Sequence, residues 1–181
     1  MRCCLLLLAP ALFAQQQPAG MAPAWDTGKL FTDLAAQSAR LQPLIRKLNV
    51  KEWTGAPDTY GPLLATLVED NQAIPEQAKA VSQHPEKLAD SLQLLLRVHT
   101  VETNLPVVLA GLRKYGNPAL ADLIEGVAAE GAPARQTFSQ RVVDLTAQRE
   151  EQFEVADHEA QRCREILSKN PAADRRPVKS K

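Results

Sequence analysis

The sequence predicts an all-α chain: an antiparallel bundle of about four helices with a long C-terminal helix. Two observations carry this. Apolar residues recur at steps of three and four through most of residues 25–168, which keeps one helix face apolar. Dense Gly, Pro and Asn signals fall between those periodic stretches and mark the turns. The sharpest is Lys114-Tyr115-Gly116-Asn117-Pro118, so short a link that the helices on either side must be antiparallel neighbours.

The first helix is predicted to open at Trp25-Asp26. The Asp26 carboxylate suits an N-cap, accepting the free N–H groups of the first turn. Trp25 and Leu30 then have the spacing of a hydrophobic staple across it. Leu30, Leu34, Leu41, Ile45 and Leu48 supply the apolar face. Pro43 predicts a kink or break near Leu41.

Residues 49–62 have the Gly/Pro density of an ordered loop, with Trp53, Gly55, Pro57, Tyr60, Gly61 and Pro62. The second helix is expected to start at Asp58 or Gly61. Its apolar side comprises Leu63, Leu64, Leu67, Val68, Ile74, Ala78 and Val81, with Pro75 as a second kink. Pro85 fits the first position of the third helix and Glu86 its positive end. The third helix carries Leu88, Leu92, Leu95, Leu96, Val98, Val101, Leu105, Val108, Leu109 and Leu112 around much of its girth. That distribution predicts a central helix, bent at Pro106.

Arg113 and Lys114 end the third helix, with Gly116 in left-handed geometry. Asn117 caps the fourth and Pro118 starts it. The fourth is expected to run through Gly131 and Pro133 with a kink, because burial of its large side chains offsets costs of ~1 and ~3 kcal/mol. Its near-heptad seam is apolar up to Leu145, then carries Arg149 and Gln152, then Ala156, Ala160 and Cys163. Continuous to Ser168, it would outrun the third helix by about twenty residues at ~1.5 Å each. Such a seam suits a contact with a second copy of the chain; the other reading is that the first helix and the leader cover it.

The ends set the compartment. Arg2, an apolar run over residues 3–14 and then Gln15-Gln16-Gln17 have the order of a secretory signal peptide. The run is short of the roughly 20 residues a spanning helix needs. Residues 1–14 are therefore expected to leave, with cleavage after Ala14. Residues 15–24 follow as a flexible leader, and no stable membrane anchor remains. Cys3 and Cys4 lie at the start of the run, not after it, and read as apolar filler. The expected location is the periplasm or the exterior. Residues 169–181 read as a disordered basic tail: a solvated end, with contact to an anionic surface as the weaker alternative.

Acidic and basic side chains balance at 21 each, so nothing favours nucleic acid as a partner. The expected mature chain keeps one cysteine, Cys163, which cannot pair internally. It is either a buried small apolar residue or an intermolecular disulfide to a second chain.

No motif for chemistry emerges. A di-iron bundle needs Glu three residues before its histidines, whereas Val81, Leu96 and Val155 precede His84, His99 and His158. Haem attachment, phosphate-loop and nucleophile-elbow patterns are absent. No metal or other cofactor is expected, and no catalytic residue is assigned. His99 and Glu102 are one turn apart, too few ligands for a metal. The densest polar stretch, residues 149–165, places Glu150, Glu154 and His158 at four-residue steps along one face. A solvated face has the same look, as with Asp157 and Gln161.

Trp53-x-Gly55-x-Pro57-x-x-Tyr60, Arg113-Lys114-Tyr115-x-Asn117-Pro118-Ala119-Leu120 and residues 149–164 resemble an uncharacterised set of exported helical proteins of Acidobacteria-type bacteria. The resemblance covers most of the mature chain. It implies export and helices, and no activity.

The sequence thus points to an exported interaction module (a scaffold, adaptor or chaperone-like binder) whose partner is protein, a homodimer included. Its candidate contact surfaces are Trp53 and Tyr60 in the loop, and Arg149, Glu150, Glu154, Asp157 and His158 on the last helix. The alternative is a periplasmic small-molecule or metal carrier, or an atypical enzyme, with a site inside the bundle near His99 and Glu102.

Overall fold

The computed structural model describes residues 24–169, with side chains from residue 27 onward. The expected signal, most of the expected leader and the expected tail beyond Lys169 lie outside the described residues, as do the Trp25 and Asp26 side chains. The described chain is helical, with no strand among the described residues: α1 (Ala24–Ile45), a single 3₁₀ turn (Val50–Glu52), α2 (Tyr60–Gln83), α3 (Leu88–Tyr115), α4 (Pro118–Glu130) and α5 (Ala132–Lys169). The helices form a four-cornered bundle. α1 packs on α2, α2 on α3, and the fourth corner, α4 continued by α5, closes against both α3 and α1.

The seam of α1 is buried as expected at Leu30, Leu34, Leu41 and Ile45, with Phe31 added, and Leu48 is buried just beyond the helix end. Phe31 meets Phe138 of α5 edge to face, ring centroids 5.8 Å apart. The helix begins at Ala24, so Asp26 lies within the first turn and is not its N-cap. Pro43 and Pro75 both sit inside helices that continue past them. Neither breaks its helix. Burial of large neighbours such as Ile45 and Ile74 offsets the ~3 kcal/mol cost of a helical proline.

α3 corrects the sequence reading twice. Pro85 does not open it. His84 to Lys87 forms a turn closed by Lys87 N–H donating to the His84 carbonyl at 3.0 Å, and the helix begins at Leu88. Nor is α3 apolar all round. Its buried positions are Ser91, Leu94, Val98, Val101, Leu105, Val108, Leu109, Gly111 and Leu112, nearly a strict three-four seam. Leu92, Leu96 and Val107 face outward.

The α3–α4 link is largely as predicted. Asn117 is extended and its side chain accepts from Leu120 N–H at 3.2 Å, with Pro118 first in the helix. Gly116, however, keeps a negative φ of −133°. Its need is for space: a Cβ there would meet Leu112 Cδ1 at 3.0 Å and Trp53 Cδ1 at 3.2 Å. Arg113 clasps the corner from outside, bonding Asp122 at 2.9–3.0 Å and Glu125. Those bonds, Asp122 first, hold the Arg113 pKa above its ordinary value.

The fourth corner is not one continuous helix. It stops at Glu130 and restarts at Ala132. Gly131 donates to the Ala128 carbonyl at 3.2 Å, a tightened last turn. Pro133 then falls in the first turn of α5, where no N–H is needed. Arg135 fills the break. Its Nη1 donates to the Ala128 carbonyl at 3.1 Å and its Nε to Glu102 of α3 at 2.6 Å.

Candidate interaction surfaces

The loop between α1 and α2 is built inward. Asn49 caps the 3₁₀ turn by accepting from Lys51 N–H at 3.2 Å, and its amide donates to Glu52 at 2.7 Å. The chain then turns Trp53 into the bundle, where it is 7% exposed. Trp53 meets Tyr60 edge to face at 5.5 Å, and Tyr60 meets Tyr115 at 6.1 Å. Each such pair contributes about 0.5–1.5 kcal/mol beyond its burial. The three rings close the end of the bundle where α1 and α3 finish. Burial therefore removes Trp53 from the contact surface read in the sequence, and Tyr60 is half-buried between two other rings.

His99 and Glu102 lie on the outside of α3, both exposed. Glu102 is engaged by Arg135. The pair does not face the bundle interior, so no site forms there around it. Among the described residues no group of three or more His, Cys, Asp or Glu is placed to hold a metal ion.

The polar stretch of α5 divides at Arg149. Leu145 is the last buried residue. Arg149 is half-buried and intrachain: its Nη2 donates to the Glu86 carbonyl at 2.7 Å and its Nη1 to Gln152 at 3.0 Å. Arg141, two turns earlier, donates to the Pro85 carbonyl at 3.4 Å. These two arginines tie α5 to the α2–α3 turn, so Arg149 is an anchor and not part of a free surface.

Every residue from 150 to 169 is exposed. At ~1.5 Å per residue this is about 30 Å of helix beyond the bundle. Glu150, Glu154, Asp157 and His158 all lie on it. Asp157 accepts from Gln161 at 3.0 Å and pairs with Arg164 at 3.9 Å. Phe153 is 75% and Leu167 73% exposed, with Val155 and Ile166 also outward. Cys163 is a free, exposed thiol, which removes its reading as a buried filler. The described part of α1 does not cover this segment.

No protein-family model, curated protein or solved structure matches this chain. The surface must therefore be read from its own geometry.

A polar seam that the sequence reading passed over lies between α1 and α2. Asn71, 1% exposed, donates to the Ser38 carbonyl at 2.9 Å and to Gln42 Oε1 at 2.7 Å. The bond to Ser38 fixes the Asn71 amide, and Asn71 in turn fixes that of Gln42. Gln42 Nε2 is left buried without an acceptor. Behind Asn71 is a cavity of about 30 Å³, room for a water or two. In front is an open groove of about 390 Å³ lined by Gln42, Pro43, Arg46, Asn71, Gln72 and Pro75. Arg46 donates to Gln72 across it at 2.6 Å. The signal was present as a gap: Ser38 and Asn71 each interrupt an otherwise apolar seam at a core position.

Proposed function

We propose that this chain is an exported interaction module (a scaffold, adaptor or chaperone-like binder) that contacts protein through the free end of α5. One observation carries the reading: residues 150–169 stand clear of the bundle with Phe153 and Leu167 in solvent. Large apolar side chains on an otherwise charged, projecting helix are what a partner helix or groove would cover. The Arg149 anchor holds the base of that helix at a fixed angle to the bundle, which suits presentation of a contact face. Export rests on the order of Arg2, the apolar run and Gln15.

The test is photo-crosslinking in the host cell from a probe at position 153 or 167, with position 123 on α4 as the control. Leu123 is exposed too but belongs to the bundle wall. Adducts from 153 and 167 and none from 123 are expected. Equal or absent adducts at all three positions would remove the reading. Fractionation of the chain with and without residues 1–14 tests export: loss of the leader should leave the protein in the cytoplasm.

A second reading, a small-molecule carrier, is favoured by the α1–α2 groove. Pro43 and Pro75 have no N–H, so the carbonyls of Ala39 and Asn71, four residues earlier, lose their helical donors. Both residues line the groove. A neutral ligand rich in hydrogen-bond donors would suit it. Native mass spectrometry of the purified chain would show extra mass in the wild type and none in Asn71→Leu; bare protein in both removes this alternative.

A further inference from the structure

We infer that residues 150–169 pair with the same segment of a second copy, in an antiparallel two-helix coiled coil. This deepens the interaction-module reading and rests on it. The seam is regular: Phe153, Ala156, Ala160, Cys163 and Leu167 follow at steps of three, four, three and four. That is the repeat by which two helices keep one face together.

Charge selects the partner and its direction. Residues 150–159 hold Glu150, Glu151, Glu154, Asp157 and Glu159 with no lysine or arginine, whereas residues 160–169 hold Arg162, Arg164 and Lys169 against Glu165. The helix is acidic toward the bundle and basic toward its tip. A parallel pair would set acid beside acid in one half and base beside base in the other. An antiparallel pair sets each acidic half beside the partner's basic half, so the segment is complementary to itself.

Side-chain size gives the same register. With the two-fold axis near His158, Ala156 faces the partner's Ala160 and Phe153 faces the partner's Cys163. Phe153 thus meets a smaller side chain, and the alanines at the centre let the backbones approach. In a parallel pair Phe153 would meet Phe153 one turn from a layer of two alanines, and no single helix separation would serve both. The arrangement also fits the bundles. The overhang is about 30 Å long at ~1.5 Å per residue, and antiparallel pairing puts one bundle at each end of it.

The register makes a specific statement about Cys163. The two Cys163 residues lie five residues either side of the axis, about 15 Å apart along the coil at ~1.5 Å per residue. A disulfide requires Cα atoms within about 7 Å, so wild-type Cys163 does not bridge to itself. A cysteine at position 153 faces the partner's Cys163 and does bridge.

The test combines mass and cross-linking on the chain from Gln15 onward, in which Cys163 is the one cysteine. Sedimentation equilibrium should give twice the mass of one chain. The mass should halve in Arg162→Glu/Arg164→Glu, with unchanged helicity and melting of the bundle. Under mild oxidant Phe153→Cys should run as a covalent dimer on a non-reducing gel and the wild type as a monomer. A monomeric wild type by sedimentation overturns the inference, as does a dimer that the charge reversal leaves intact. A wild-type Cys163 dimer overturns the antiparallel register. If the chain is monomeric yet positions 153 and 167 still crosslink to other proteins in the cell, self-pairing fails while the interaction-module reading stands.

Discussion

Tyr60 lies across Gly111 so closely that a Cβ on Gly111 would come within 2.4 Å of the ring. The ring has little room to yield, because Trp53 and Tyr115 hold it on either side. Gly111→Ala gains about 1 kcal/mol of helix propensity and loses about 1–3 kcal/mol to overpacking. The expected net is a loss of roughly 1 kcal/mol, or a few degrees in Tm. In a Tyr60→Ala background the same change should become stabilising, a sign reversal that thermal melts of the four proteins would show.

Gly126 is the contrasting case. It sits on the exposed face of α4 with nothing within 4 Å of a Cβ. Gly126→Ala should therefore stabilise the chain by up to about 1 kcal/mol. A lower Tm for this variant would mean that the α4 face is occupied in solution.

Asn71 should be costly to remove alone and cheap to remove with its partner. Asn71→Ala deletes two hydrogen-bond donors, leaves Gln42 Oε1 unpaired and opens a cavity beside Ile74. A loss of about 2–3 kcal/mol is expected. Asn71→Leu combined with Gln42→Leu replaces both amides, including the unpaired Gln42 Nε2, by apolar groups, which is near neutral when shape is kept. Denaturant melts showing the double variant as unstable as Asn71→Ala would refute this account of the seam.

How legible these features were depended on how far their causes reach along the chain. The α1 seam was readable because its leucines are isolated: Leu34, Leu41 and Leu48 each have polar or small neighbours, so their period assigns the inward face. The α3 seam was not. It runs through Leu92, Leu94, Leu95 and Leu96, where a cluster of leucines leaves the inward one undefined, and it starts on Ser91. Pro85 was misplaced because a local rule, proline at the first helical position, lost to a long-range one. The turn at His84–Lys87 offers the Pro85 and Glu86 carbonyls to Arg141 and Arg149, more than fifty residues away. Trp53 was read as surface because its loop has surface composition, and only the fold brings Tyr60 and Tyr115 to it. The length of the overhang, by contrast, follows from helix lengths, while the sequence leaves open whether the first helix and the leader cover it.

Arg149 should behave as an anchor. It is half-buried and donates a charge-assisted bond to a backbone carbonyl, the kind of bond whose loss costs about 1.5–3 kcal/mol when the acceptor is left unpaired. Glu86 remains near solvent, so Arg149→Ala is expected at the low end, near 1.5 kcal/mol. Hydrogen exchange should accelerate at the α2–α3 turn and leave the aromatic cluster at the far end unchanged. Uniform acceleration across the bundle would show that Arg149 acts globally and not through that turn.

The bundle should not need the overhang. Residues 150–169 contribute no buried side chain, and the last core residue of α5 is Leu145. The anchoring bond to Glu86 comes from Arg149, before the overhang begins. A chain ending after Gln152 keeps that anchor, its Gln152 contact and the full hydrophobic core. It should melt within about 2 °C of the full chain, because surface changes away from the core usually stay within ~0.5 kcal/mol. The same truncation removes Phe153, Leu167 and the whole basic half of the charge pattern, so it should sediment as a monomer at every concentration. Stability and assembly are thereby separated. If the full chain loses stability on dilution while the truncated one does not change, the projecting helix is contributing energy through its pairing, since it has no contact within its own bundle through which to do so. If truncation instead lowers Tm in dilute solution, where no pairing exists, then α5 supports the fold beyond Gln152 and the overhang is part of the bundle.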